Sequence, residues 1–385
     1  MIPYGRQQIS DDDIAAVEAV LRSDFLTQGP AVPAFEQGLA AYVGAPFAVA
    51  ANSATSALHI ACMALDVGPG DWVWTSPNSF VASSNCALYC GARVDFVDID
   101  GADLNMSVDA LRAKLVKARA TGTLPKVVIP VDFAGRSARL QPMRELANEF
   151  GFAIVEDASH AIGSDYRGSK VGGHGLADIT VFSFHPVKII TTAEGGMAVT
   201  HRHELAQRLG DLRSHGVTRN AAQLERESEG PWYYEQLSLG YNYRLTDLQA
   251  TLGLSQLRQI EAFIARRQEI RKVYDHAFQD DALRIPPPDA DGRSALHLYP
   301  IQLATNGRKS RRQVFDGLRA RGVGVNVHYI PIHTQPYYQR MGFQRGDFPV
   351  AENYYAHAIS LPIHAGMTDQ EVQHVIHSVK AEVGA

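Results

Sequence analysis

The chain has 385 residues, of which 45% are apolar and 20% charged, so a full core can form and the balance argues against disorder. Its 36 Lys and Arg stand against 41 Asp and Glu, a net charge of −5 that argues against a nucleic-acid binder. No uninterrupted apolar run reaches the ~18 residues that a membrane-spanning helix needs.

The opening "MIPYGRQQISDDDIAAVEAVL" has neither the basic start nor the apolar stretch of a secretory signal. Ser10 followed by three aspartates predicts a helix start, with acids at the positive end of the dipole. From residue 47, short β-rich runs alternate with helical patterns. "FAVAAN" predicts a strand and "SATSALHIACMALD" a helix, with Leu58, Cys62 and Leu65 at helical spacing. "WVWTSP" is a second strand and "FVASSNCALYCG" a second helix. The cysteines are Cys62, Cys86 and Cys90. An odd number without a framework suits a reducing cytoplasm. Cys86 and Cys90 can share a helical face, but with no His or Cys partner set they read as packed thiols, not metal ligands.

"ARVDFVDID", "KVVIPVDF" and "GFAIVEDAS" are further strands, with helices at roughly 107–119 and 140–150 between them. "DITVFSF" and "GGMAVT" complete seven. Strands that are apolar throughout and separated by helices imply an α/β fold: a mostly parallel sheet covered on both faces. Its ligand is expected beyond the carboxyl ends of the strands. After about residue 245 the pattern changes. "LTDLQATLGLSQLRQIEAFIARRQEIRKVYDHAF" predicts one long amphipathic helix with a bend or break. Pro286–Pro288 interrupt the chain. Then come a strand ("ALHLYPIQLA"), a helix (308–321), a strand ("VGVNVHYIPI"), a short strand ("ISLPI") and a last helix. This predicts a large α/β domain over 1–250 and a smaller α+β domain over 251–385.

Three strand ends carry polar groups. At "ANSATSALH", Ser53, Ala54 and Thr55 fall where a strand hands over to a helix, and free backbone N–H groups plus a hydroxyl make an anion site there. Taken alone, an ordinary Ser cap explains this stretch as well. At "AIVEDASHAIG", Glu156 and Asp157 end a strand and His160 follows. A carboxylate in that position points into the ligand crevice or caps a turn. One Asp and one His are too few for a metal site. In "VFSFHPVKIITTAEGGMAV", Ser183 and Lys188 follow the next strand. A lone lysine there is a snorkelling surface charge unless its neighbours give it chemistry. An amine for a Schiff base, a carboxylate for a pyridinium proton and a phosphate cup together are the parts a pyridoxal phosphate enzyme needs.

The run "SFHPVKIITTAEGG" resembles the lysine segment of the DegT-type nucleotide-sugar aminotransferases, a branch of the fold-type I pyridoxal phosphate enzymes. "DFLTQGPAVPAFE", "ANSATSALH", "PNSFVASSN", "EDASHAIGS", "LRSHGVTR", "GYNYRLTDLQA", "VHYIPIHTQPYY" and "SLPIHAGMT" follow in the family's order, so the likeness covers nearly the whole chain. "DFLTQGP", "SFHPVKIITT" and "HYIPIHTQPYY" look most like the pseudaminic-acid-pathway transaminases, which aminate the C4 ketone of a UDP-linked 4-keto-6-deoxy-N-acetyl hexosamine. The resemblance implies that Lys188 links to the cofactor aldehyde and later moves the proton. It implies that Asp157 pairs with the pyridine nitrogen and that His160 lies near the phenolic oxygen. Ser53, Ala54, Thr55 and Ser183 would hold the phosphate, and Phe80 would stack on the ring. Asn242 in "GYNYR" would reach the phosphate in the neighbouring subunit, which implies a homodimer with shared sites. Tyr4, Arg6, Phe25, Arg219, His328, Tyr329 and His333 are candidates for the sugar nucleotide, each equally open to a packing or surface reading. His328 and His333, five apart with no carboxylate neighbour, make a poor metal pair.

Departures from the family pattern are small. "NSATSA" stands where many relatives carry a glycine before the threonine, and Ala193 is often glycine; both positions accept small residues. Related sugar dehydratases carry histidine in place of Lys188, so the lysine favours transamination. Glutamate is the expected amino donor, in a ping-pong sequence. Three other readings remain open: a different keto sugar or regiochemistry on the same scaffold, a silent regulatory homologue, and a nucleotide-binding oxidoreductase. The last lacks a G-x-G-x-x-G after the first strand.

Overall fold

The computed structural model describes residues 1–279, 283–304 and 307–384. Seven short segments, most of them apolar, form the central sheet: β1 (Phe47–Ala51), β2 (Trp72–Thr75), β3 (Arg93–Phe96), β4 (Val127–Ile129), β5 (Ala153–Asp157), β6 (Ile179–Ser183) and β7 (Gly196–Thr200). Their order across the sheet is β1-β7-β6-β5-β4-β2-β3. β7 runs antiparallel to both its neighbours, and the remaining pairs are parallel. All seven are the strands expected from the sequence. The exception to parallel pairing has a simple cause. Residues 184–195, between β6 and β7, hold no helix, and a parallel return requires a crossover.

Successive side chains of a strand point to opposite faces, and two cores follow from that rule. Val127, Ile129, Val155, Ile179 and Val181 pack with Leu58, Ile60, Cys62, Cys86, Leu205 and Leu209. These last come from α3 (Ala54–Ala64), α4 (Ala82–Tyr89) and α7 (His203–Arg213). On the opposite face, Val128 and Ile154 pack with Leu111 and Leu115 of α5 (Val108–Thr121) and Leu146 and Phe150 of α6 (Leu140–Phe150). Asp157 and Ser183 fall in the register of the first face and Glu156 in that of the second.

The expected long helix is two, α8 (Asp247–Leu257) and α9 (Ile260–Phe278). Neither Pro nor Gly breaks it. The Arg258 and Gln259 amides bond to carbonyls three residues back or fewer, Ser255 and Gln256. The buried Gln256 side chain is drawn off to Gln8 O and Asp13 Oδ2. The division expected at residue 250 falls within α8. α9 is shared: Ile260, Phe263 and Ile264 join one core of the large sheet, while Ile270, Tyr274 and Phe278 join the C-terminal core. That core lies on a small antiparallel sheet of β8 (Leu283–Arg284), β9 (Tyr299–Leu303) and β10 (Ala358–Leu361), with α10 (Arg311–Ala320) and α12 (Asp369–Val383), while α11 (Pro349–His357) packs instead with Phe96 and Phe133. The strand expected at "VGVNVHYIPI" does not form. It makes only isolated bridges, Val323 to Ile2 and Asn326 to Ser360. The first bridge and the Ile363 N–H donated to Tyr4 O (3.1 Å) fasten the N-terminal residues to this part of the chain. No described helix is long and apolar enough to cross a membrane.

One glycine sets how closely β7 approaches the start of α3. A Cβ on Gly196 would lie 2.4 Å from the Ala54 amide nitrogen and 2.6 Å from its Cα. These are backbone atoms that cannot swing aside. Gly196→Ala is expected to cost about 1–3 kcal/mol, the usual range for overpacking, read as a lower urea midpoint at unchanged m-value.

Candidate active site

β5 ends on Asp157, buried on the face covered by α3 and α4. Its Oδ2 accepts a hydrogen bond from Ser83 Oγ at 2.6 Å. Its Oδ1 accepts from Ser159 N at 3.2 Å and Ser159 Oγ at 2.5 Å. The chain leaving β6 turns at His185, whose carbonyl accepts from the Lys188 amide at 2.8 Å. Lys188 keeps a partly accessible side chain, but the protein around its ammonium is dense. Burial lowers its pKa to about 8, against a smaller upward pull from the Asp157 charge. No hydrogen bond to a described residue contributes to that balance. An amine so placed is neutral in a useful fraction of molecules near neutral pH, the state that attacks a carbonyl.

Three histidines surround it. His160 Nδ1 accepts the Ala134 N–H at 3.3 Å, which leaves the ring proton on Nε2, 3.0 Å from Tyr329 Oη. His297 packs on His160 with ring centroids 4.3 Å apart. His328 Nδ1 lies 2.8 Å from Ser360 Oγ. Burial, then the Lys188 charge, lowers the pKa of His328 to about 3. Burial is also the leading cause for His160 and His297, with Lys188 adding to it, so all three rings are neutral. Tyr4 packs against His328 (5.4 Å) and Phe80 against Tyr329 (6.5 Å). Phe80 is itself 59% exposed.

At the start of α3, Ser53 is the cap and its Oγ accepts from Ser56 N at 3.0 Å. Among the described residues, the Ala54 and Thr55 amides have no acceptor. Ser183 ends β6, on the same face of the sheet as Asp157.

The structure thus brings Asp157, His160, Lys188, His328, Tyr329, Tyr4 and Phe80 into one neighbourhood. Arg6 and Phe25 are exposed. Arg219 is exposed as well, 5.9 Å from the Tyr234 ring. Asn242 is exposed on the chain bridged to Ser214. His333 stands apart. It is fully buried, its Nε2 is 2.9 Å from Glu352 Oε1, and its ring packs on Phe348 and Phe96. Ser83, Ser159 and His297 were not singled out in the sequence. Ser159 sits two residues after Asp157, a turn pattern that is legible. Ser83 lies 74 residues away in sequence, and no local signal pairs it with the acid.

The DegT/DnrJ/EryC1/StrS aminotransferase family matches residues 7–380. The chain belongs to this family. It is 37% identical over 378 residues to the UDP-4-amino-4,6-dideoxy-N-acetyl-beta-L-altrosamine transaminase of Campylobacter jejuni, covering 97% of this chain and 96% of that protein. Among solved structures it is similar to Helicobacter pylori PseC, an aminotransferase involved in the biosynthesis of pseudoaminic acid (TM-score 0.91, 34% identity, 100% and 99% of the two chains). It is also similar to the PLP form of the putative sugar aminotransferase Spr1654 from Streptococcus pneumoniae (TM-score 0.89, 30% identity, 99% and 98%). As a member of the DegT family the chain is a pyridoxal phosphate-dependent sugar aminotransferase. Its residues fit the cofactor: an amine without a hydrogen bond to a described residue, a buried carboxylate whose charge acts on it, and, among the described residues, unbonded amides at a helix start.

The lysine leaves a mark on the apoprotein. Between pH 8 and 10.5 the unfolded chain still holds the Lys188 proton that the folded chain has released. Folded-state stability therefore rises with pH across that window. In cofactor-free protein, Lys188→Met is expected to be more stable than wild type at pH 7. That advantage should shrink towards pH 10.5. Urea titrations at the two ends of the window measure it. An advantage that does not change with pH would mean the ammonium is not held in a costly environment.

Proposed function

We propose that the protein transfers an amino group from glutamate to the C4 ketone of a UDP-linked 4-keto-6-deoxy-N-acetyl hexosamine, in two half-reactions of a ping-pong sequence. The observation that carries the reading is the depressed Lys188 amine facing Asp157 within a shell of neutral histidines. When bound, pyridoxal phosphate supplies a cationic ring that takes up the electron pair released at the substrate carbon. Asp157 holds the ring nitrogen in its protonated form. Lys188 Nζ would hold the aldehyde carbon and, once the amino donor takes its place, would accept the proton from the donor's α-carbon. In the second half-reaction the same Nζ delivers a proton to the sugar carbon. Proton transfer by a positioned group is worth roughly 10²–10⁴-fold. His160 and Tyr329 sit where a neutral donor pair lines the cleft. Ser53, Ala54, Thr55 and Ser183 would hold the phosphate, and Phe80 would cover the ring.

Tyr4, Arg6, Phe25, Arg219, His328 and Tyr329 are proposed to meet the sugar nucleotide; Tyr4, His328 and Tyr329 have support from their place beside Lys188. The full burial of His333 and its pairing with Glu352 favour packing instead. We further propose a homodimer in which Asn242 completes the partner's phosphate site. The exposure of Asn242, Phe25, Phe80, Trp232 and Leu239 on a single chain supports it. The free cysteines support a reducing cytoplasm as its setting.

Mass spectrometry of the products of UDP-4-keto and UDP-3-keto sugars with glutamate tests the chemistry. The amine is expected from the 4-keto substrate, and Lys188→Ala is expected to give none. Amination of the 3-keto sugar alone would sink the C4 assignment. The shared site has its own test. Lys188→Ala and Asn242→Ala proteins, each impaired, are expected to regain activity when mixed and re-equilibrated, because one site of each mixed dimer is then intact. No recovery in a verified mixed dimer would place both groups in one subunit.

A further inference from the structure

The surroundings of Asp157 contain a count. An ionised carboxylate offers about four lone-pair sites. On Oδ1 both are taken, by Ser159 N at 3.2 Å and Ser159 Oγ at 2.5 Å. On Oδ2 one is taken, by Ser83 Oγ at 2.6 Å. A single acceptor position is left, on Oδ2. Ser83 in turn lies 2.7 Å from Ser79 Oγ, and Ser79, Ser83 and Asp157 are all buried.

The direction of this chain is fixed by chemistry. A hydroxyl has one proton and two lone pairs. Ser83 gives its proton to the carboxylate, because a bond to an ionised acceptor is about twice as strong as one to a neutral oxygen. It therefore accepts from Ser79. Each donor polarises the next, so Ser79 strengthens the bond that Ser83 makes to Asp157 Oδ2.

Ser83 is carried by the first turn of α4, and Phe80 lies three residues before it, ahead of the helix. One short segment thus carries both a ring face and a tether for the acid. We infer that Ser83, backed by Ser79, is a positioning residue: it occupies one lone pair of Asp157 Oδ2 and leaves the other as the single acceptor for the pyridinium N–H. This rests on the reading that Asp157 binds the ring nitrogen.

The test is cofactor affinity of the apoprotein, followed by tryptophan fluorescence, for two probes. One is pyridoxal phosphate. The other is its carba analogue, in which ring carbon replaces the nitrogen. Ser83→Ala is expected to weaken pyridoxal phosphate binding about tenfold, the loss of a hydrogen bond to a charged group, and to leave the analogue unaffected. Ser79→Ala should show the same pattern with a smaller loss, and Ser83→Thr, which keeps the hydroxyl, should recover most of the affinity. Equal weakening for both probes would mean that Ser83 only packs, and no weakening for either would mean that it does not act on the acid; each overturns the inference. Should Ser83→Ala fail to fold, Ser79→Ala carries the same comparison. Asp157→Asn separates the two levels. If it binds pyridoxal phosphate as wild type does, the reading of Asp157 itself has failed. If it binds weakly while both serine variants bind normally, only the role of Ser83 has.

Discussion

An ammonium with no hydrogen bond to a described residue, set in densely packed surroundings, is the constraint around which the rest of the site is arranged. Burial and the neighbouring charge act on Lys188 in opposite directions, and burial wins, bringing its pKa to about 8. A paired lysine would be more stable and would be a poor nucleophile. The neutral histidines fit this arrangement. Protonated imidazoles beside Lys188 would add repulsion to the cost of desolvation, and their own burial keeps them uncharged. The tautomer of His160 follows from a backbone amide, since Ala134 N–H occupies Nδ1 and points the ring proton at Tyr329.

The geometry is delivered by strand alternation. Val155 and Asp157 share a face of β5, as Ile179, Val181 and Ser183 do on β6. Apolar residues on these positions hold the strands against α3 and α4, so the polar residue at each strand end is aimed by the packing of those before it. A slip of one residue in β5 would put Glu156 in place of Asp157. The antiparallel β7 matters for the same reason. Gly196 lies between Ser183 on β6 and Ala51 on β1, and its bare Cα lets the strand sit beneath the first amides of α3.

Much of this was legible in the sequence because it is local. Most of the seven strands are largely apolar runs, β3 with Arg93 and Asp95 excepted, and Asp157, Ser183 and Lys188 are polar residues that end or follow them. What was not legible depends on distant partners. Ser83 looks like any serine in a short polar helix until the fold brings β5 beside it. His297 has no local mark; it matters because its ring lies on that of His160. "VGVNVHYIPI" alternates like a strand, yet its neighbours offer only single bridges at Ile2 and Ser360, so propensity had no ladder to join. His333 sits in a segment rich in site-like residues, but Glu352, Phe348 and Phe96 claim it for the interior. The long helix broke where the buried Gln256 found better partners in Gln8 and Asp13 than the helix surface could offer.

The residue beside Asp157 poses a problem that the fold must also solve. Glu156 is fully buried on the other face, and Asp132, equally buried, is its neighbour. Two anions side by side there would repel each other in a buried setting. The structure avoids this in two ways. Burial, then the charge of Glu156, pushes the Asp132 carboxyl far above its ordinary range, so it stays protonated. Glu156 itself accepts from Thr180 Oγ1 at 2.7 Å and lies 3.2 Å from His174 Nε2. Burial opposes a charge on His174, but Glu156 outweighs it and raises the imidazole pKa. A carboxyl pushed towards its neutral form and a carboxylate matched by an imidazole thus stand behind the strand, on the face away from Asp157. A protein interior that must hold one unpaired amine near a carboxylate has to quiet the charges around it, and here that is done by residues on the other face of the sheet.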